Sequence, residues 1–253
     1  MSGYAVFARK ETQEIFRTWR LWVLPGILAF FALTGPPLAR YTPEIVKAFA
    51  SDQLGGFTIP TPTYLDAYGQ WAKNLTQVAL FALIIIYGGI VSAESRSGTA
   101  VLVLTKPVSR TAFVVVKAVV NSAFVAVLLL VGTLLTWGLT AAMFGTAPAS
   151  ALWSSALVWL VLAVLFIALM TLLSVVIGST AGAAGAGLGC FAMASIASIW
   201  KPLASYSPAG LTSAATALAA GTAAAPLWPV LTSLALSVVL VTLAAVLFRR
   251  KEL

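Results

Sequence analysis

The chain has 253 residues, 60% hydrophobic and 9% charged, with a formal net charge of +8 and a mean hydropathy of +1.00. A soluble chain carries roughly a quarter charged residues, so this composition excludes a water-soluble domain and implies a polytopic membrane protein. With no His and one Cys, Cys190, a His-rich metal site, a disulfide framework and a Cys/His catalytic pair are excluded as well.

Residues 4–20 are expected to form an interfacial helix. On a helical wheel Tyr4, Phe7, Ala8, Ile15, Phe16 and Trp19 fall on one side. Arg9, Lys10, Arg17 and Arg20 fall on the other with Gln13 and Glu14, as in a helix lying at the headgroup boundary. A solvated, charged N-terminus is the plainer alternative.

A helical span needs about 20 mostly apolar residues. Six are expected, giving an all-α membrane fold in one transmembrane domain. Span 1 covers residues 21–39, with Pro25-Gly26 inside it and Pro36-Pro37 near its far end. Glu11 and Glu14 interrupt the basic stretch before it and no clear cleavage site follows, so it is taken as a retained span rather than a signal peptide. An outside loop, 40–71, leads to span 2 at 72–92. A charged segment, 93–110, leads to span 3 at 111–144, which Gly145-Thr146-Ala147-Pro148 ends as a turn.

Span 4 is expected at 152–177 and span 5 at 181–200, after the tight turn Gly178-Ser179-Thr180. Segment 201–228 is apolar but broken by Pro202, Pro208, Gly210, Gly221 and Pro226. It is either an ordinary outside loop or a pair of short helices dipping back into the membrane, where protein or water must satisfy its backbone. The low polarity of Ala214–Ala225 favours the second. Span 6, 229–248, precedes the basic tail Arg249-Arg250-Lys251-Glu252-Leu253.

With the N-terminus inside, eleven of the fifteen Lys and Arg residues are cytoplasmic, and only Arg40, Lys47, Lys73 and Lys201 lie outside. That asymmetry orients the chain with both termini inside.

Absences narrow the chemistry. Gly-x-x-x-x-Gly-Lys-[Ser/Thr] does not occur, so no nucleotide is held in the P-loop manner. No carboxylate falls within an expected span, although ion-coupled carriers commonly keep one there. Energy for uphill transport is therefore expected to enter elsewhere. In segment 93–110, Glu94 sits just beyond span 2, and Gly98-Thr99 opens an apolar run, Ala100–Leu104, too short to span. Ser97 or Thr99 can cap that run, Lys106-Pro107 ends it, and Ser109 can cap span 3. A short cytoplasmic helix held between two spans would move both when pushed; a solvated loop is the alternative.

Glu94-Ser95-Arg96-Ser97-Gly98-Thr99, followed by Leu102-Val103-Leu104-Thr105-Lys106-Pro107-Val108-Ser109-Arg110 and Lys117, resembles the permease subunits of type-2 ATP-binding-cassette (ABC) transporters. Their pattern here is Glu-x-x-x-Gly-Thr, an apolar run, Pro-[Val/Leu]-Ser-Arg and then Lys. Ala8-Arg9-Lys10-Glu11, Tyr41-Thr42-Pro43-Glu44-Ile45, Tyr206-Ser207-Pro208 and the basic tail are similar too. The resemblance implies an N-terminal connecting helix, a coupling helix after span 2 and re-entrant helices before span 6. It also implies a prokaryotic inner-membrane complex of two permeases, identical or homologous, with two separately encoded ATPase subunits. ATP and Mg would be bound by those subunits, and no cofactor or metal by this chain.

By this similarity Glu94, Ser95, Arg96, Gly98, Thr99, Pro107 and Arg110 fall on the segment that meets the ATPase. Arg9, Lys10, Glu11, Arg17 and Arg20 fall on the connecting helix, which also contacts it. Asn74 and Gln77 in span 2, with Asn121 and Ser122 in span 3, either line a pathway or bond to neighbouring helices. Gly178, Gly182, Gly185 and Gly189 suit helix packing more than substrate contact, and Trp137, Trp153, Trp159 and Trp228 suit interfacial belts. An ATP-driven exporter subunit is the first expectation, with no catalytic activity of its own. A stand-alone channel or secondary carrier, and a membrane scaffold or assembly factor, are the alternatives.

Overall fold

The computed structural model describes residues 3–18, 20–50, 60–98, 109–223 and 225–250. Among these the chain is helical throughout, with no strand, and six helices are long and apolar enough to cross a membrane. An N-terminal helix, Gly3–Arg17, precedes them.

Span 1 runs Arg20–Ala50, well beyond the expected 21–39. At 1.5 Å per residue its 31 residues reach about 46 Å, against a hydrocarbon core of about 30 Å. Its C-terminal part, expected as the start of a loop, is thus helical beyond the length a membrane core requires, where carbonyls left without a partner by Pro43 can meet water. Span 2 also starts earlier than expected, at Tyr64. Thr63 and Asp66 account for this: the Thr63 N–H and hydroxyl both donate to Asp66 Oδ2, at 2.7 and 3.0 Å, closing the helix N-terminus.

Span 2 is interrupted twice. A π-turn at Leu75–Ala79 divides Tyr64–Asn74 from Leu80–Tyr87, and a turn at Gly88–Val91 precedes a last helical turn, Ser92–Arg96. The charged segment expected to begin at residue 93 therefore starts as the end of this span. Spans 3 (Arg110–Phe144), 4 (Ala149–Ile177), 5 (Thr180–Ala197) and 6 (Leu227–Arg250) follow. Ser109 Oγ accepts from the Ala112 N–H at 3.1 Å and caps span 3, while Gly145 and Gly178, at φ +74° and +70°, close spans 3 and 4 in the left-handed conformation that glycine permits.

Spans 2 and 4 are the most enclosed, and spans 1, 5 and 6 keep broad apolar faces outward. Span 4 is apolar around its whole circumference, which suits the centre of a bundle. Segment 201–228 contains two short helices, Lys201–Tyr206 and Leu211–Ala219, joined by a 3₁₀ turn at Pro208–Gly210. The second packs on span 4, where Ser155 Oγ donates to the Ala215 carbonyl at 2.6 Å.

Two packing expectations change. Gly182, Gly185 and Gly189 face outward, and Gly187 is the buried glycine of span 5: a Cβ there would lie 2.4 Å from Met170 Sδ. The 3.6-residue pitch puts Gly187 on the opposite side from the expected stripe. Trp159 is buried at 1% exposure rather than belted at an interface, because it faces inward from the central span.

Candidate functional site

The densest polar cluster among the described residues lies where the N-terminal helix, the end of span 2 and the first turns of span 3 meet. In the N-terminal helix Phe7, Glu11 and Ile15 are spaced four apart and form one buried stripe. Glu11 thus lies in the middle of the apolar face, and Tyr4 and Phe16, expected beside Phe7, are exposed. Lys117 lies seven residues into span 3, about 10 Å along its axis.

The Lys117 ammonium donates to both Glu11 oxygens, at 2.9 and 3.0 Å, and to Glu94 Oε1 at 2.6 Å. Lys117 and Glu11 are 1% and 2% exposed. Lys10 closes the outer side, donating to Glu11 at 3.1 Å, to Glu94 at 3.0 Å and to Glu14. Burying such charges requires this degree of mutual pairing. Aromatic rings seal the cluster: Phe113 stacks between Phe7 and Phe248 at 5.2 and 5.3 Å, and Lys117 sits 5.1 Å from its centroid. The three carboxylates converge closely enough to chelate a cation, but the two ammonium groups already occupy the positions a metal would take.

Burial of Lys10 works against its charge, but the Glu14 hydrogen bond and the charges of Glu11 and Glu94 outweigh it and raise its pKa well above the ordinary 10.5. A raised lysine pKa contributes stability that is complete below the unfolded value and is lost only as pH rises through the folded one. The N-terminal helix is therefore expected to stay docked from pH 6 to 9. Equal melting temperatures across that window check this, and a steep fall by pH 9 would contradict it.

Beyond Glu94 the segment's roots are tied to other spans. The Val91 and Ser92 N–H groups donate to Ser174 Oγ of span 4, at 3.1 and 2.9 Å. Arg96 donates to Thr180 Oγ1 at the start of span 5, at 2.8 Å, and Arg110 donates to the Arg249 carbonyl at the end of span 6, at 3.1 Å. Gly88 allows the abutment with span 5, since a Cβ there would lie 2.6 Å from the Thr180 carbonyl oxygen. Gly98 adopts φ +73°, a conformation that glycine permits, and among the described residues nothing lies within 4 Å of a Cβ placed there. Ser95 is half-buried next to Glu94, while Arg9 and Arg17 are exposed. Thr99, Pro107 and the run Ala100–Leu104 lie outside the described residues, as does the Arg20 side chain.

The four polar residues of spans 2 and 3 are not brought together. Gln70, Lys73, Asn74 and Gln77 form a polar stripe along the exposed or half-buried side of span 2. Asn74 lines a cleft of about 460 Å³ against span 1, and Gln77 lines one of about 560 Å³ against span 5. Asn121 is fully buried and donates to the Lys117 carbonyl at 2.8 Å. Ser122 borders an apolar cleft among spans 3, 4 and 6.

Sequence reasoning missed Glu14, Ser174 and Thr180, and named Lys117 only as the end of a motif. For Glu11 the signal was present, since its spacing from Phe7 and Ile15 puts it on the apolar stripe. No periodicity announces Ser174 or Thr180, whose contacts cross more than 80 residues.

No curated protein matches the chain. The family model described as ABC-2 family transporter protein matches residues 5–253, a range that takes in the N-terminal helix, all six spans and the charged junction. The chain therefore belongs to the ABC-2 family of transporter membrane proteins.

Proposed function

We propose that this chain is the membrane-spanning permease subunit of an ATP-driven exporter of a prokaryotic inner membrane, with both termini cytoplasmic. It works as a pair of permeases, with two separately encoded ATPase subunits that bind ATP and Mg. The observation that carries this reading is the buried junction of Glu11, Glu94 and Lys117 at the root of segment 93–110. A push on that segment reaches span 2 through Glu94, span 3 through Lys117 and the N-terminal helix through Glu11. Ser174, Thr180 and Arg249 extend the connection to spans 4, 5 and 6.

Roles divide by exposure. Glu11 and Glu94 are positioning residues, buried against Lys117 and Lys10. Contact with the ATPase falls to exposed groups, Arg9 and Arg17 on the N-terminal helix and Arg96, Ser97 and Gly98 on the segment; Thr99 and Pro107, outside the described residues, are assigned to it by the family resemblance alone. A polar stripe on span 2 is costly against lipid, so Asn74 and Gln77 are assigned to a path that water or the second permease covers.

Purified alone, the chain is expected to hydrolyse no ATP; with its cassette ATPase it should copurify as two of each. In proteoliposomes Glu94→Ala and Gly98→Val should leave the chain inserted and dimeric while abolishing transport-linked stimulation of the ATPase. Hydrolysis by this chain alone, or wild-type transport in both variants, would remove the basis of this reading.

A further inference from the structure

We infer that the cleft between span 2, span 5 and the second short helix binds the headgroup of an anionic, hydroxyl-bearing amphiphile, of which phosphatidylglycerol is the simplest example. The inference rests on the transporter reading above in taking the occupant as cargo held at the outer side of the membrane.

The lining is rich in hydroxyl groups. Thr76, Ser195, Ser198, Thr212, Ser213 and Thr216 all face the cleft. Each hydroxyl donates to a carbonyl of its own segment: Thr76 to Ala72 at 2.9 Å, Ser195 to Phe191 at 2.9 Å and Ser198 to Ser195 at 2.7 Å. Thr212 donates to Ala209 at 2.7 Å, Ser213 to Gly210 at 3.4 Å and Thr216 to Ser213 at 2.8 Å. With their protons engaged, these oxygens offer a ligand their lone pairs. The wall therefore accepts hydrogen bonds and suits a ligand rich in O–H donors.

Charge selects further. Among the described residues that line the cleft Lys73 alone is charged, and it is exposed. A cationic ligand would meet Lys73 with no carboxylate to offset it. A bare anion without donors would find N–H groups in Lys73 and Gln77 among the described lining residues, and oxygen lone pairs over the rest of the wall. One negative charge together with hydroxyl groups satisfies both.

Depth gives the amphiphilic character. Lys73 lies near the start of span 2 and Glu94 in its last helical turn, so the two mark opposite ends of the span. Phe81 lies eight residues deeper than Lys73, about 12 Å, and packs edge-to-face on Phe191 at 5.2 Å between centroids. The polar end thus sits at headgroup level and the aromatic end among the chains. A volume of about 560 Å³ holds a headgroup and the first carbons of a tail.

The full chain in phosphatidylcholine nanodiscs, titrated with spin-labelled phosphatidylglycerol and phosphatidylcholine, tests this without the ATPase. Phosphatidylglycerol should be retained at least about fivefold over phosphatidylcholine. Lys73→Gln should weaken that retention about tenfold, as loss of one charge-assisted hydrogen bond implies. Lys73→Arg should restore it, and Lys201→Gln, outside the cleft, should leave it unchanged. Lys73 is exposed, so equal melting temperatures are expected and would separate lost binding from lost fold. Equal retention of the two lipids, or indifference to Lys73→Gln, would overturn the inference. Competition by free glycerol 3-phosphate at concentrations comparable to the lipid would overturn the amphiphile assignment. Because binding is read without the ATPase, failure here leaves the subunit reading standing, and failure to copurify with an ATPase leaves the lipid result standing.

Discussion

Lys117→Met is expected to destabilise the chain by about 3–5 kcal/mol and to release the N-terminal helix from the bundle, as follows when one partner of a buried ion pair is removed. Glu11 would then keep only Lys10, whose side chain is 39% exposed and which already serves Glu14 and Glu94. Lys10→Met should cost about 1 kcal/mol or less, because its charge is partly screened by solvent. Adding Glu11→Gln to Lys117→Met should recover part of the loss, since the double variant no longer buries that orphaned carboxylate. Thermal unfolding of the detergent-purified chain measures all three. A Lys117→Met variant that melts with the wild type, or a double variant with strictly additive losses, would mean that the junction does not hold these elements together.

A second large effect is expected at Gly210. A Cβ there would fall 1.9 Å from the Ala204 carbonyl oxygen and 2.9 Å from its carbon, both backbone atoms that no side-chain rotation can clear. Gly210→Ala must therefore separate the two short helices or shift the 3₁₀ turn between them, costing about 3 kcal/mol or more. The same substitution at Gly185 or Gly189 meets nothing within 4 Å and should fall within about 0.5 kcal/mol of wild type. Melting temperatures and folded yield of the three variants decide the matter. A neutral Gly210→Ala would show that the segment between spans 5 and 6 does not hold this close turn.

The glycine contrast shows where linear sequence stops being informative. Three outward glycines, Gly182, Gly185 and Gly189, repeat at a spacing that suggests packing, yet the glycines that touch other backbone are Gly88 and Gly210, which belong to no repeat. Whether a Cβ has room depends on a second segment brought close in space, and no local pattern encodes that distance.

The sequence by itself determined the all-helical membrane class and the number of candidate spans, because these depend on the length of apolar runs that a bilayer core demands. It also determined the turns at Gly145 and Gly178 and the Ser109 cap, all governed by neighbouring residues. The Thr63–Asp66 cap and the inward placement of Glu11 were equally local, legible in spacing alone. Only the tertiary structure decided that Glu94 finds its basic partner inside the chain, on span 3 and the N-terminal helix. Only it distinguished Asn121, enclosed beside Lys117, from Asn74 and Gln77 on an open stripe. In both cases the physical reason is the same. A buried charge or amide is tolerated according to what packing places around it, and the basic partners of Glu94 lie 23 and 84 residues away along the chain.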